Sequence, residues 1–255
     1  MKVSAEGLGE RFRTMGKYGA VALAGISAAT GKLIKDSAAS LQIEESYRRM
    51  TAQAEVSADE LLKQLKLTSA GTVSATDLML SANRAMALGV GDDMGTVTKL
   101  MEIARLKGRA LGLDTTQAFN DIVTGIGRGS PMILDNLGIT IKLGEAQERF
   151  AQTLGKTAAE LTDAEKKQAL LNAVMTEGNA ELERAGEIQT TTAERMQALK
   201  ATISNTADEI GRTLIPAAEA ILTAVAPIIE KVSVWVQENP KLTATIIGVA
   251  AGAAA

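Results

Sequence analysis

One stretch of the chain combines residues able to hold an anion: Gly125, Gly127, Arg128, Gly129, Ser130 and Pro131. Glycine-rich turns beside a basic residue can cradle phosphate through backbone N–H groups. Here, however, the glycines close a helical pattern instead of following a strand, and no Gly-Lys-Ser/Thr completes a nucleotide loop. The plainer reading is a helix-turn-helix corner, with Ser130 capping a new helix and Pro131 in its first position. The best oxygen ligands are Asp92-Asp93 and Asp135-Asn136. Neither has the alternating spacing of a calcium loop. Asp93 reads as a helix cap, and Asp135-Asn136 as a turn before Gly138. Glu44-Glu45, Arg48-Arg49, Arg105/Lys107/Arg109 and Lys166-Lys167 read as solvated helix faces.

The composition narrows the chemistry further. The 255 residues include no Cys and no His. That excludes a thiol nucleophile, a disulfide, a Ser-His-Asp triad and an ordinary zinc site. The usual general base is missing, and no carboxylate pair lies in a visibly apolar setting. The expectation is therefore a protein with no catalytic residue, no metal and no cofactor. A net charge of -3 argues against a dedicated nucleic-acid binder. Only six aromatics are present: Phe12, Tyr18, Tyr47, Phe119, Phe150 and Trp235. Aromatic side chains normally supply much of a large core, so close-packed, Ala-rich helices or an elongated shape fit better than one broad core.

Helical signals dominate almost the whole chain. Segment 1–55 reads as a long Gly/Ala-rich helix, with Ala20, Ala24 and Ala28 one turn apart. Segment 56–143 reads as a compact helical domain. Ser57 with Glu60, Ser74 with Asp77, and Asp114 with Gln117 carry capping patterns. Gly71, Gly89, Gly112 and Gly129 fall where helices should stop. The spacing predicts helices near 58–69, 75–88, 95–111 and 115–127, packed as a small bundle. Segment 144–186 reads as a charged helical hairpin, opened by the Thr162/Glu165 capping box and striped by Leu170, Leu171, Val174 and Leu182.

Segment 187–255 carries the clearest periodicity. Met196, Leu199, Ile203, Ile210, Leu214, Ile221, Val225, Ile228, Val232 and Trp235 recur at three- and four-residue steps, with Ala207 and Ala218 filling the same series. This is a heptad-like, helix-pairing seam. Pro216 and Pro227 lie within it and should kink the helix or end it, so kinked, sequential helices sharing one buried side are expected. The apolar run of about 13 residues from Gly19 to Gly31 is shorter than the roughly 20 needed to cross a bilayer. The run 242–255 has no charged residue and reads as a helix cut in progress, from a longer polypeptide.

The run Gln117-Ala-Phe-Asn-Asp-Ile-Val-Thr-Gly-Ile-Gly-Arg-Gly-Ser-Pro-Met-Ile-Leu-Asp-Asn-Leu-Gly138 resembles the N-terminal portion of phage tail tape measure proteins, also called tail length tape measure or minor tail proteins. Asp77-Leu-Met-Leu-Ser-Ala-Asn-Arg-Ala-Met-Ala-Leu-Gly89 and Leu161-Thr-Asp-Ala-Glu-Lys-Lys-Gln-Ala-Leu-Leu-Asn-Ala-Val174 look like further stretches of that family. The resemblance covers about 45–235. Its most diagnostic part is Gly127, Arg128, Gly129, Ser130 and Pro131, with Leu134, Asp135, Asn136, Leu137 and Gly138. These identify a family and mark no catalytic residue.

The resemblance implies an all-α protein of the tail lumen, made in the host bacterial cytoplasm. It implies a multi-copy scaffold and length ruler around which tail tube subunits polymerise. It also implies association with tail assembly chaperones and tail tip proteins, and a role in genome ejection that reaches the host membrane. A helix advances 1.5 Å per residue, so 255 residues measure at most about 380 Å. Family rulers are longer, which suggests a truncated, split or fragmentary member. Two readings compete: a membrane-active ejection or channel-forming protein, and a generic helical interaction module from a degenerate prophage.

Overall fold

The computed structural model describes residues 30–91, 93–186 and 189–238; at 221, 222 and 224–236 it describes the backbone alone. The expected long N-terminal helix before residue 30, the apolar run 19–31 (save its last two residues), Asp92 and the run 242–255 lie outside the described residues. Within them the protein is all-α, with no strand. Helix α1 covers residues 30–53. It is followed by α2 (Ala58–Thr68), α3 (Ala75–Ala87), α4 (Met94–Leu111), α5 (Thr115–Gly127), α6 (Pro131–Asp135) and α7 (Leu143–Thr153). A 3-10 turn (Ala158–Glu160), α8 (Asp163–Ala185) and α9 (Thr192–Glu238) complete the order. No helix among the described residues is long and apolar enough to cross a membrane.

The helix starts are set by side chains three residues away. Ser57 accepts from Glu60 N–H, Ser74 from Asp77 N–H, Asp93 from Thr96 N–H and Asp114 from Gln117 N–H. Each satisfies one of the amides that a helix leaves unpaired at its first turn. Gly112, at φ 71°, ends α4 in the left-handed conformation, which costs glycine little and other residues more.

At α8 the reciprocal box is complete: Thr162 Oγ1 accepts from Glu165 N–H, and Glu165 accepts from Thr162 N–H. The Lys156 ammonium and the two Thr162 donors hold the Glu165 carboxyl down to about 2. A carboxyl depressed on folding stabilises above its ordinary value, near 4.3, and that contribution disappears as pH falls toward 2. Glu165→Gln should therefore melt below wild type at pH 6. The gap should close between pH 4.5 and 2, as read by thermal melts across that range. A gap independent of pH would show that the carboxylate charge is not what caps α8.

Two compact units emerge. One spans Ala39–Asp208; the other joins the two ends of the chain, with described residues 30–38 and 209–238. In the larger unit, α5 contacts α3, α4, α6 and α8. Phe119, Ile122, Val123 and Ile126 of α5 are buried against Leu100, Ile103 and Ala104 of α4, Leu78 and Ala82 of α3, and Leu170 and Val174 of α8. The charged hairpin thus supplies part of the same core, because α8 turns its stripe onto α4 and α5. Tyr47 of α1 is buried too and donates its hydroxyl to Ala58 O at 2.8 Å.

Helix α8 passes α4 at Gly178. A Cβ there would lie 2.2 Å from Ile103 Cδ1 and 2.6 Å from Cγ1. Because Ile103 is fully buried and β-branched, it has little freedom to move aside. Gly178→Ala should destabilise by about 1–3 kcal/mol through overpacking. Adding Ile103→Val, which removes Cδ1, should recover part of that loss in urea denaturation. Additive losses would place the strain elsewhere.

In the smaller unit, α1 and α9 meet at Gly211. A Cβ at Gly211 would sit 2.5 Å from the Leu33 carbonyl oxygen and 2.8 Å from Ser37 Cβ. Only a residue without a side chain allows this helix-to-helix approach. Helix α9 runs from Thr192 to Glu238 without interruption at Pro216 or Pro227, so neither proline ends it. A proline removes one hydrogen bond of the ladder, and a helix of 47 residues retains the bonds on either side.

Candidate functional site

The anion-like motif folds into the corner between α5 and α6. Gly127 is buried and packs so close to α3 that a Cβ would lie 2.8 Å from Leu88 Cβ. Gly129 takes φ 62° directly after α5. Ser130 is the N-cap of α6 without a side-chain capping bond, and Pro131 takes the first turn. Leu134 and Leu137 point into the core, while Arg128, Gly129, Asp135, Asn136 and Gly138 are exposed. The glycines thus serve close packing and a tight turn. Their amides are committed as well: Gly129 N donates to Ile126 O and Ser130 N to Gly125 O. The corner is a structural element whose exposed rim is Arg128, Met132, Asp135 and Asn136.

A lysine pins this corner to the rest of the domain. Lys107 of α4 donates to Gly138 O at 2.9 Å and pairs with Glu181 of α8. Only 8 % of Lys107 is exposed. Its neighbour Arg105 donates through Nε to Glu194 Oε1 of α9 at 2.8 Å, with both side chains almost fully buried. Arg109 donates to Gln189 O at 2.7 Å. The expectation of a solvated face is therefore overturned for Arg105 and Lys107, while Arg109 remains exposed. Their partners lie 31 to 89 residues away along the chain, beyond the reach of local pattern.

Glu194 has a second role. Thr191 donates N–H and Oγ1–H to its Oε2, and Glu194 N–H returns to Thr191 Oγ1. Burial opposes its charge, but the Thr191 amide and the Arg105 guanidinium outweigh burial and hold the carboxyl below its usual range. Thr191 and Glu194 carry the same capping spacing as Thr162 and Glu165. That signal marks the start of α9, but nothing in it announces Arg105. An open cavity of about 320 Å³ lies beside this pair, lined in part by Arg105, Arg109, Thr191 and Glu194.

The helix-pairing seam differs most from expectation. Met196, Leu199, Ile203 and Ile210 are 63 %, 54 %, 61 % and 48 % exposed. Leu214 is half-buried. The side chains of Ile221, Val225, Ile228, Val232 and Trp235 lie outside the described residues. Between 192 and 208 the buried positions of α9 are Glu194 and Ala201. Each precedes a seam residue by two positions, about 200° around a helix at 3.6 residues per turn. The shared buried side is therefore on the opposite face from the apolar series. The series itself steps by three, four and four residues: Met196, Leu199 and Ile203, then Ala207, Ile210 and Leu214. An eleven-residue return averages 3.67 residues per turn, close to an undistorted helix, so the stripe stays on one face.

Among the described residues no cluster of His, Cys, Asp or Glu is placed to hold a metal. Asp93 caps α4, and Asp135 ends α6 with Asn136 in the turn that follows. No family model matches the chain, and no solved structure matches it.

Proposed function

We propose that the protein is a structural component of a phage or prophage tail, related to the N-terminal portion of tape measure proteins. In this reading it acts inside the tail tube as an assembly scaffold and length ruler and takes part in genome ejection. The observation that carries the reading is α9, a 47-residue helix whose large apolar side chains over 196–210 face outward. Such a helix is about 70 Å long. Its exposed stripe is a surface for pairing with helices of other copies, and its slender, aromatic-poor character suits bundling in a narrow lumen. The motif around Gly127–Gly138 supports the family reading at the level of resemblance. The partners that follow are tail tube subunits, assembly chaperones and tail tip proteins.

The test is a deletion that preserves the face. Removing residues 218–228 takes out eleven residues, shortens the helix by about 16 Å per copy and keeps the stripe in phase. Tails assembled on this chain should shorten accordingly by electron microscopy. A five-residue deletion rotates the following stripe by about 140° and should impair assembly instead. Tails of unchanged length from the eleven-residue deletion would refute the ruler role.

A further inference from the structure

We propose that the first part of α9, residues 192–208, is a releasable strap that can lift off its own domain while the core beneath stays closed. The inference does not depend on the tail reading. The continuous buried core of the Ala39–Asp208 unit is formed by residues 47 to 174, flanked by partly buried residues up to Leu182, and includes no residue of α9. Polar bonds hold the strap. Arg105 holds Glu194, Ala75 N–H donates to Asn205 Oδ1 at 2.8 Å, and Ser40 Oγ donates to Asp208 Oδ2 at 3.0 Å. The one buried apolar side chain is the methyl of Ala201.

This arrangement differs from ordinary helix docking. A helix joined to a core normally buries its apolar stripe, and lifting it exposes that stripe to water. Here Met196, Leu199 and Ile203 are exposed already, so lifting adds little apolar surface from α9 itself. The barrier to release is chiefly the loss of directional polar bonds, among them the buried Arg105–Glu194 pair. Polar contacts of this kind have defined partners and can be remade, which suits a joint between a folded domain and a rod.

Hydrogen exchange read by mass spectrometry on the full chain tests the proposal. Amides of 195–208 should exchange through a local opening, faster than those of α4 and α5. Glu194→Gln should speed exchange at 195–208 by about tenfold or more, equivalent to about 1.4 kcal/mol, and leave α4 and α5 unchanged. Asn205→Ala, at a half-buried position, should do the same more weakly. Equal acceleration of 195–208 and the core in either variant would overturn the proposal. So would a Glu194→Gln chain that fails to fold, since α9 would then be integral to the core.

Discussion

Phe119→Ala should cost the domain about 3–5 kcal/mol, the usual range for emptying a buried aromatic site. Phe119 is fully buried in the middle of α5, the helix that touches α3, α4, α6 and α8. Around it, Leu78, Leu100, Ile103, Ile122 and Leu170 are also at zero exposure. Four helices fixed around the same site cannot all move in to fill the space. For a unit of this size the loss should lower the melting temperature by about 10 °C, read by circular dichroism at 222 nm. Phe150→Ala, at a half-buried position on α7, should cost much less. Equal losses at the two positions would mean that α5 is not the centre of the core.

Lys107→Met should cost about 3 kcal/mol, although it keeps most of the side chain's volume. The ammonium joins α4 to both the Gly138 carbonyl and the Glu181 carboxylate. Removing one partner of a buried pair leaves the other uncompensated, and that penalty exceeds the net worth of the pair. The double variant Lys107→Met/Glu181→Met should recover much of the loss, because an apolar pair of similar volume avoids the stranded charge. Urea denaturation of the four chains closes the cycle. If Lys107→Met alone falls within about 0.5 kcal/mol of wild type, the level of an ordinary surface change, the corner is held by its leucines and not by the lysine.

Much of the fold was legible because it is decided locally. Ser57, Ser74, Asp93, Asp114 and Thr162 act on amides three residues ahead. Gly112 and Gly129 act on their own backbone. The apolar spacing of α2 to α5 likewise needs only one turn of helix to be recognised: Leu61 and Leu65, Leu78 and Ala82, Leu100 and Ile103, and Phe119 and Ile122 recur at three- and four-residue steps and are buried. In the motif at 127–138, the reading of a corner held, with Ser130 as N-cap and Pro131 in the first turn.

Local pattern was thus enough to place most of the helices among the described residues, to mark where α2 to α5 start and stop, and to give α9 an apolar face. Packing between distant segments set which face of α9 meets the domain, and placed Arg105 and Lys107 inside while leaving Met196, Leu199 and Ile203 outside. Periodicity records that a helix has two sides. Which side is covered depends on the neighbour, and the neighbours of Glu194 and Asn205 lie 89 and 130 residues away. A buried carboxylate with a guanidinium waiting opposite makes a polar face dockable, and no local pattern encodes that meeting.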